Sequence, residues 1–295
     1  MKTGLLNSIK LRAKSNYKLF KIVRFVPAFF GFYKSRTRST LDDFWNKRIE
    51  LVLQSPDNES IIRAQNAGEV IGDVQIMHND LIINVGSYYG DGNTVLLHKN
   101  RGVHEPQEEK AFGEILDCIP QDSVMLELGA FWGFYSMSFL QKVRNGKSYL
   151  IEPDLHALLS GKNNFKLNDF TGHFFNYYVS DHGEPGDVPV ISVDEFLKQE
   201  NIDRLNILHS DIQGFEFKML NGATEFLKKG KIDYLFISTH SNELHDNCKL
   251  FLSEYQYQIL CDANLDETYS WDGLIVAKHT TVDGPRELKI HKRGC

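Results

Sequence analysis

The chain reads as a doubly wound α/β protein organised on a mainly parallel sheet, and three observations predict that class. From about residue 107 onward, helix-like and strand-like segments alternate. The strand-like segments are short and almost wholly apolar, as buried parallel strands are. The first of them runs straight into a glycine-containing turn that opens a helix. With 42% hydrophobic and 12% aromatic residues, the 295-residue chain has ample material for a buried core, in one large domain with extensions or in two.

Taken in order, residues 1–40 form a basic amphipathic arm. Ten lysines and arginines stand there without a single acid, so with a net charge of −6 overall the remaining residues carry −16. Leu6, Ile9, Ala13, Tyr17, Phe20 and Val23 recur at steps of three and four, as on one face of a helix. Such a helix suits peripheral contact with an anionic membrane at its cytoplasmic face, and suits equally packing on the rest of the chain or on a second subunit of a homo-oligomer. Lys21, Arg24 and Pro27 keep every apolar run well short of the roughly 20 residues of a membrane span. The four scattered cysteines show no CxxC spacing, which argues against a zinc or disulfide framework and fits a reducing cytoplasm. An acidic body argues against a nucleic-acid partner.

Residues 41–103 read as a helical and β-rich cap: a helix at LDDFWNKRIELVL, a turn at Ser55 to Asn58, a short helix after it, and hairpins across residues 69–100, where Asn-Asp and Gly-Asp-Gly breaks separate β-branched runs. The main domain, 104–282, then alternates: helix QEEKAFGEILDCI, strand SVMLEL, helix FYSMSFLQKV, strand KSYLIEP, helix LHALLSGKNNFKLN, strand HFFNYYVS, helix VDEFLKQ, strand LNILHSD, helix FEFKMLNGATEFLKKG, strand DYLFISTH, helix NELHDNCKLFLSEY, and the closing strands YQIL and GLIVAKH. A tail, 283–295, follows.

Ligands of such sheets bind outside the carboxyl ends of the strands, and three strand ends carry suitable chemistry. Strand SVMLEL delivers Gly129-Ala130-Phe131-Trp132-Gly133. There Gly129 permits a tight turn and close approach of a ligand, Gly133 lets the next helix pack near the strand, and the helix start presents N–H groups. Glu127, at the end of that strand, suits an ammonium and opposes a pyrophosphate. Glu152 closes the next strand in LIEPD, placed to accept both hydroxyls of a ribose. One carboxylate for an amino-acid end and one for a ribose describe S-adenosylmethionine. Ser180 and Asp181, at the following strand end, fall where its adenine would lie.

The stretches MLELGAFWGFYSMSF, LIEPD and HSDIQGFEFKMLNGA, in that order and spacing, resemble the FkbM-type methyltransferases over roughly residues 104–280. The hallmark Asp-x-x-Gly-x-Glu running toward Leu-x-Gly-Ala is here Asp211, Gly214, Glu216, Leu220, Gly222 and Ala223. Glu127 stands where most members have Asp, and Phe131-Trp132 where most have a small polar residue and an aliphatic. The resemblance implies a Rossmann-like, seven-stranded methyltransferase sheet, S-adenosylmethionine as cofactor, and transfer of the methyl group to oxygen on a sugar or other small-molecule or glycan acceptor.

A hydroxyl acceptor needs somewhere to send its proton. His240 ends strand DYLFISTH and is expected to be the general base, because imidazole titrates near working pH. Asp211 ends strand LNILHSD, where it would orient His240 or the acceptor and touch the cofactor. On the acceptor side stand His104 and Glu105, the wall residue Trp132, and Glu216, an acid at a helix start. Asp211 and His240 also suit a divalent metal, but spacing supplies no third ligand, so none is expected. The alternatives are a dinucleotide-dependent oxidoreductase, disfavoured because the loop lacks G-x-G-x-x-G, and a non-catalytic glycan-assembly partner that retains the fold.

Overall fold

The computed structural model describes residues 41–294; the basic arm and its amphipathic helix lie outside the described residues. The first element, α1 (Asp43–Leu53), is capped by Asp42, whose carboxylate accepts the Trp45 N–H at 3.0 Å. A 3₁₀ turn, Pro56–Glu59, follows. The short helix expected next does not form: the Arg63 guanidinium turns back onto the Ile61 carbonyl at 3.1 Å and the Asn58 side chain at 3.0 Å, taking an acceptor that a helix would use.

A small antiparallel sheet is made by β1 (Val70–Ile71), β2 (Val74–Ile76) and β3 (Ile82–Asn84). The hairpin reading fails beyond it, because residues 90–99 are the helix α2 (Gly90–Lys99). Gly90 and Gly92 weaken a helix locally, but burial of Val95, Leu96 and Leu97 holds it. Gly92 also lies so close under the Trp45 ring that any Cβ would overlap it.

The main domain continues with α3 (Pro106–Cys118), β4 (Val124–Leu128), α4 (Phe134–Lys142), β5 (Lys147–Ile151), α5 (Leu155–Leu167) and β6 (His173–Phe175). At Asn176, whose amide donates to the Glu152 and Pro153 carbonyls, the chain leaves the sheet, so the expected single strand splits. Its second half, β7 (Tyr178–Val179), pairs instead with β8 (Val190–Ile191). Next come α6 (Val193–Gln199), β9 (Leu205–Ser210), α7 (Glu216–Asn221) and α8 (Thr224–Lys228). The single helix expected there breaks at Gly222, which packs so tightly on the Ser180 carbonyl that a side chain would collide. The chain closes with β10 (Ile232–Thr239), α9 (Asn242–Glu254), β11 (Tyr257–Ala263) and β12 (Gly273–His279).

The seven-stranded sheet has the order β11-β12-β10-β9-β4-β5-β6, parallel throughout except for β12, which is antiparallel to both neighbours. The order reverses between β4 and β9, which sets the crevice there. Alternation along β4 sends Leu126 and Leu128 into one core, with Leu208, Leu235 and Phe196, and Met125 into the other, with Ile207, Phe112 and Phe236. The small sheet is tied to this domain by asparagines: Asn164 accepts the Asn84 N–H and Asn168 the Ile82 N–H, both at 2.9 Å, satisfying the free edge of β3. The tail carries no regular element, yet Leu288 is buried and bonds Leu260, while His291 bonds Asp57. Among the described residues no helix is long and apolar enough to cross a membrane.

Candidate cofactor and acceptor site

At the carboxyl ends of β4, β5 and β9 lies a cavity of about 930 Å³. Sheet register builds it. Leu128 pairs with Ile151 on one side and with Ser210 on the other, so the next residue, Gly129, is flanked by Glu152 and Asp211. Gly129 has φ 68°, and a Cβ there would run into the Asp211 carbonyl oxygen. The glycine is therefore demanded by the neighbouring strand as much as by any ligand. Gly133, φ 71°, does as expected: a side chain would meet Phe165 and Leu150, so its absence lets α4 lie close to β5 and α5. Gly133 itself does not line the cavity, whereas Gly129, Ala130, Phe131 and Trp132 do.

The sequence reading expects free N–H groups at the helix start, but the structure occupies part of it. Glu127, 2% exposed, accepts the Ser136 N–H at 2.9 Å, and Glu152 accepts the Phe131 N–H at 3.1 Å and the Asp154 N–H at 2.8 Å. Burial pushes both carboxyls above their usual range, with His209 opposing it at Glu127 and the backbone N–H groups opposing it at Glu152. Both line the cavity with unused lone pairs. Ser180 lines it as well, but Asp181 does not: its carboxylate is exposed and bonds His182 at 2.6 Å, because the turn after β7 carries it outward.

The opposite wall is aromatic. The Trp132 ring stacks on Tyr88 at 4.4 Å and 8°, and Phe131 meets the edges of Tyr88 and Tyr89. His104 and Glu105 line the cavity beside them. The buried His104 is gripped by Glu105 at 3.1 Å and Glu109 at 2.6 Å; burial alone would lower its pKa, but those two acids lift it to about 10. Glu105 also accepts the Tyr135 hydroxyl at 3.1 Å and faces Arg48 at 3.6 Å.

Asp211 lines the cavity. His240 stands behind it, with Nε2 3.3 Å from Asp211 and 3.3 Å from Asp272, and Nδ1 2.9 Å from Glu216. Burial lowers the imidazole's affinity for a proton, yet the surrounding acids, Asp211 first, raise its pKa to about 10. That shift favours the imidazolium and so opposes the expected role as free base. Glu216 is fully buried and accepts the Ile212 and Gly214 N–H groups at 3.2 Å; it holds the turn after β9 and does not line the cavity as an acceptor contact. Among the described residues no group of three or more His, Cys, Asp or Glu has the geometry of a metal site.

The donor set fits the methyl donor. Glu105, Glu127, Glu152, Asp154, Glu184 and Asp211 line the cavity and outnumber the cations there, which are Lys218 and the histidines held toward their charged form, His104, His182 and His209. That field attracts a ligand bearing an ammonium and a sulfonium and repels a pyrophosphate. The sequence model of the methyltransferase FkbM domain matches residues 85–259. The chain belongs to the FkbM methyltransferase family. It is accordingly an S-adenosylmethionine-dependent methyltransferase, and the dinucleotide alternative is set aside.

Among solved structures this FkbM methyltransferase is similar to TrmK of M. capricolum in complex with S-adenosyl-homocysteine, at 14% identity and TM-score 0.40 over 58% of this chain and 68% of that one. It is similar also to the ribosomal protein L11 methylase of Lactobacillus delbrueckii subsp. bulgaricus, at 10% and 0.43 over 60% and 80%. A third is the precorrin-6y C5,15-methyltransferase of Geobacter metallireducens GS-15, at 13% and 0.41 over 59% and 89%. No curated protein gives a significant match.

Sequence reasoning missed Tyr88, Tyr89, Tyr135, His209 and Asp272 at this site. Tyr88-Tyr89 lie in a segment read as hairpin, and Asp272 precedes a closing strand, so neither carried a local signal. His209 could have been found: it lies two residues before Asp211 on a strand, hence on the same face.

Proposed function

We propose that this methyltransferase transfers the methyl group to a hydroxyl of a sugar or surface glycan. The observation that carries the reading is the composition of the cavity lining, where aromatic rings adjoin carboxylates that outnumber the cations. Tyr88, Tyr89, Phe131 and Trp132 line the cavity with Glu105 and Asp211, and of these rings Tyr89 is the exposed one. Aromatic rings cover the apolar face of a pyranose while carboxylates accept its hydroxyls. A phosphorylated or nucleic-acid acceptor would be repelled.

Glu127 would hold the cofactor's amino-acid end, Glu152 its ribose and Ser180 its adenine. Bound S-adenosylmethionine supplies an electrophilic methyl group on a sulfonium. Asp211 receives the proton that the acceptor hydroxyl loses as its oxygen bonds to carbon. His240, charged and held by Asp272 and Glu216, positions Asp211 and does not take that proton. The basic arm brings the enzyme to an anionic membrane where lipid-linked glycans are assembled. Mass spectrometry of surface glycan from cells with and without the protein, using a labelled methyl donor, tests the reading. Label on sugar oxygen is expected; label confined to nitrogen, protein or RNA would overturn it.

A further inference from the structure

Among the described residues, the cavity lining holds a buried ring nitrogen on His209 that has no hydrogen-bond partner. The residue is 3% exposed, and the atom is Nδ1. The other side of the ring is fixed: Nε2 lies 2.8 Å from Glu108 Oε1, and Glu108 Oε2 accepts the Ser238 hydroxyl at 3.3 Å. The Tyr135 ring, 4.1 Å away, sets its tilt. A buried imidazole so tightly held, with one nitrogen left over, is a ligand-binding arrangement in search of its ligand.

The register says which part of the ligand. His209 pairs with Glu127 across β4 and β9, so the two side chains leave the same face of the sheet from strands about 4.8 Å apart. The α-amino-acid end of the cofactor carries an ammonium and a carboxylate on one carbon. Glu127 answers the ammonium and leaves the carboxylate without a partner. We infer that His209 donates its Nδ1–H to the carboxylate of the cofactor's methionine moiety, so that Glu127 and His209 together form a complement to the zwitterion. The protonated ring this requires is favoured by Glu108, Glu127 and Asp211, which outweigh burial. The inference does not depend on the identity of the acceptor.

The test compares S-adenosylmethionine with its decarboxylated analogue by calorimetry on the full chain. The unaltered protein should bind the decarboxylated analogue about 10–100-fold more weakly, and His209→Phe, which keeps a ring on Tyr135, should weaken S-adenosylmethionine by a similar factor while moving the analogue by less than about threefold. Equal weakening of both ligands by His209→Phe would give His209 a merely structural role and overturn the inference. So would the absence of discrimination in the unaltered protein. Because Glu108 loses its partner in that variant, a second reading uses the unaltered protein labelled with nitrogen-15 in histidine. The His209 Nδ1 resonance should shift on adding S-adenosyl-homocysteine and stay in place with an analogue lacking the carboxylate; the same shift with both would overturn the inference.

Discussion

Glu152→Gln is the sharpest test of the cofactor site, because the structure specifies what each oxygen does. Oε2 accepts the Phe131 N–H and Oε1 the Asp154 N–H, which leaves one lone pair on each for a ribose hydroxyl. The amide retains one acceptor and turns an NH₂ toward the second backbone donor. One ribose hydrogen bond is then lost and the other loses its charge assistance, a cost of about 2–3 kcal/mol or about 30- to 150-fold in Kd. The misplaced NH₂ faces a backbone N–H and costs about 1–2 kcal/mol in stability. Calorimetric titration with S-adenosyl-homocysteine and with methylthioadenosine, which share the ribose, should show the same factor for both. A Kd within about threefold of the unaltered protein, with an unshifted melting curve, would remove Glu152 from the ribose site.

Three further outcomes are expected. Asp211→Asn should lower turnover by roughly 10²–10⁴-fold, and His240→Ala should lower it less while sparing cofactor affinity; the pH–rate profile should lack an acidic limb near 6.5 from His240 and decline toward pH 10 as its proton is lost. An acidic limb near 6.5 that disappears in His240→Ala would restore the histidine as base. The pKa of His104, raised from 6.5 to about 10 in the fold, contributes stability that is complete below pH 6.5 and is lost as pH rises to about 10, so the melting temperature should fall across that interval and His104→Gln should flatten the fall. Glu105, lowered from 4.5 to about 2, works in the opposite direction, its contribution being lost as pH falls through that range. Deletion of residues 1–34 should leave cofactor affinity unchanged and abolish salt-sensitive binding to anionic vesicles; full-length protein that ignores such vesicles at low salt would make the arm an assembly element.

What the sequence determined by itself was whatever depends on local period and on the strand end. Buried strands announce themselves as apolar runs, and a residue ending such a strand must lie at the sheet's edge, so the sequence alone brings Glu127, Glu152 and Asp211 to one crevice. The glycine turn was equally legible, although its reason was not: Gly129 is required because the Asp211 carbonyl, 82 positions later in the chain, presses on it. Tertiary structure alone decided the rest. Residues 90–99 are helical because Trp45 and the burial of Val95 to Leu97 outweigh two glycines. His240 is pushed toward its charged form because Asp211 and Glu216, from the turn after β9, and Asp272, from a distant segment, converge on it. His209 keeps an open nitrogen because Glu108, a helix away, has claimed the other. Propensity and period are properties of neighbours along the chain, whereas burial, protonation and an unmet hydrogen bond are properties of neighbours in space.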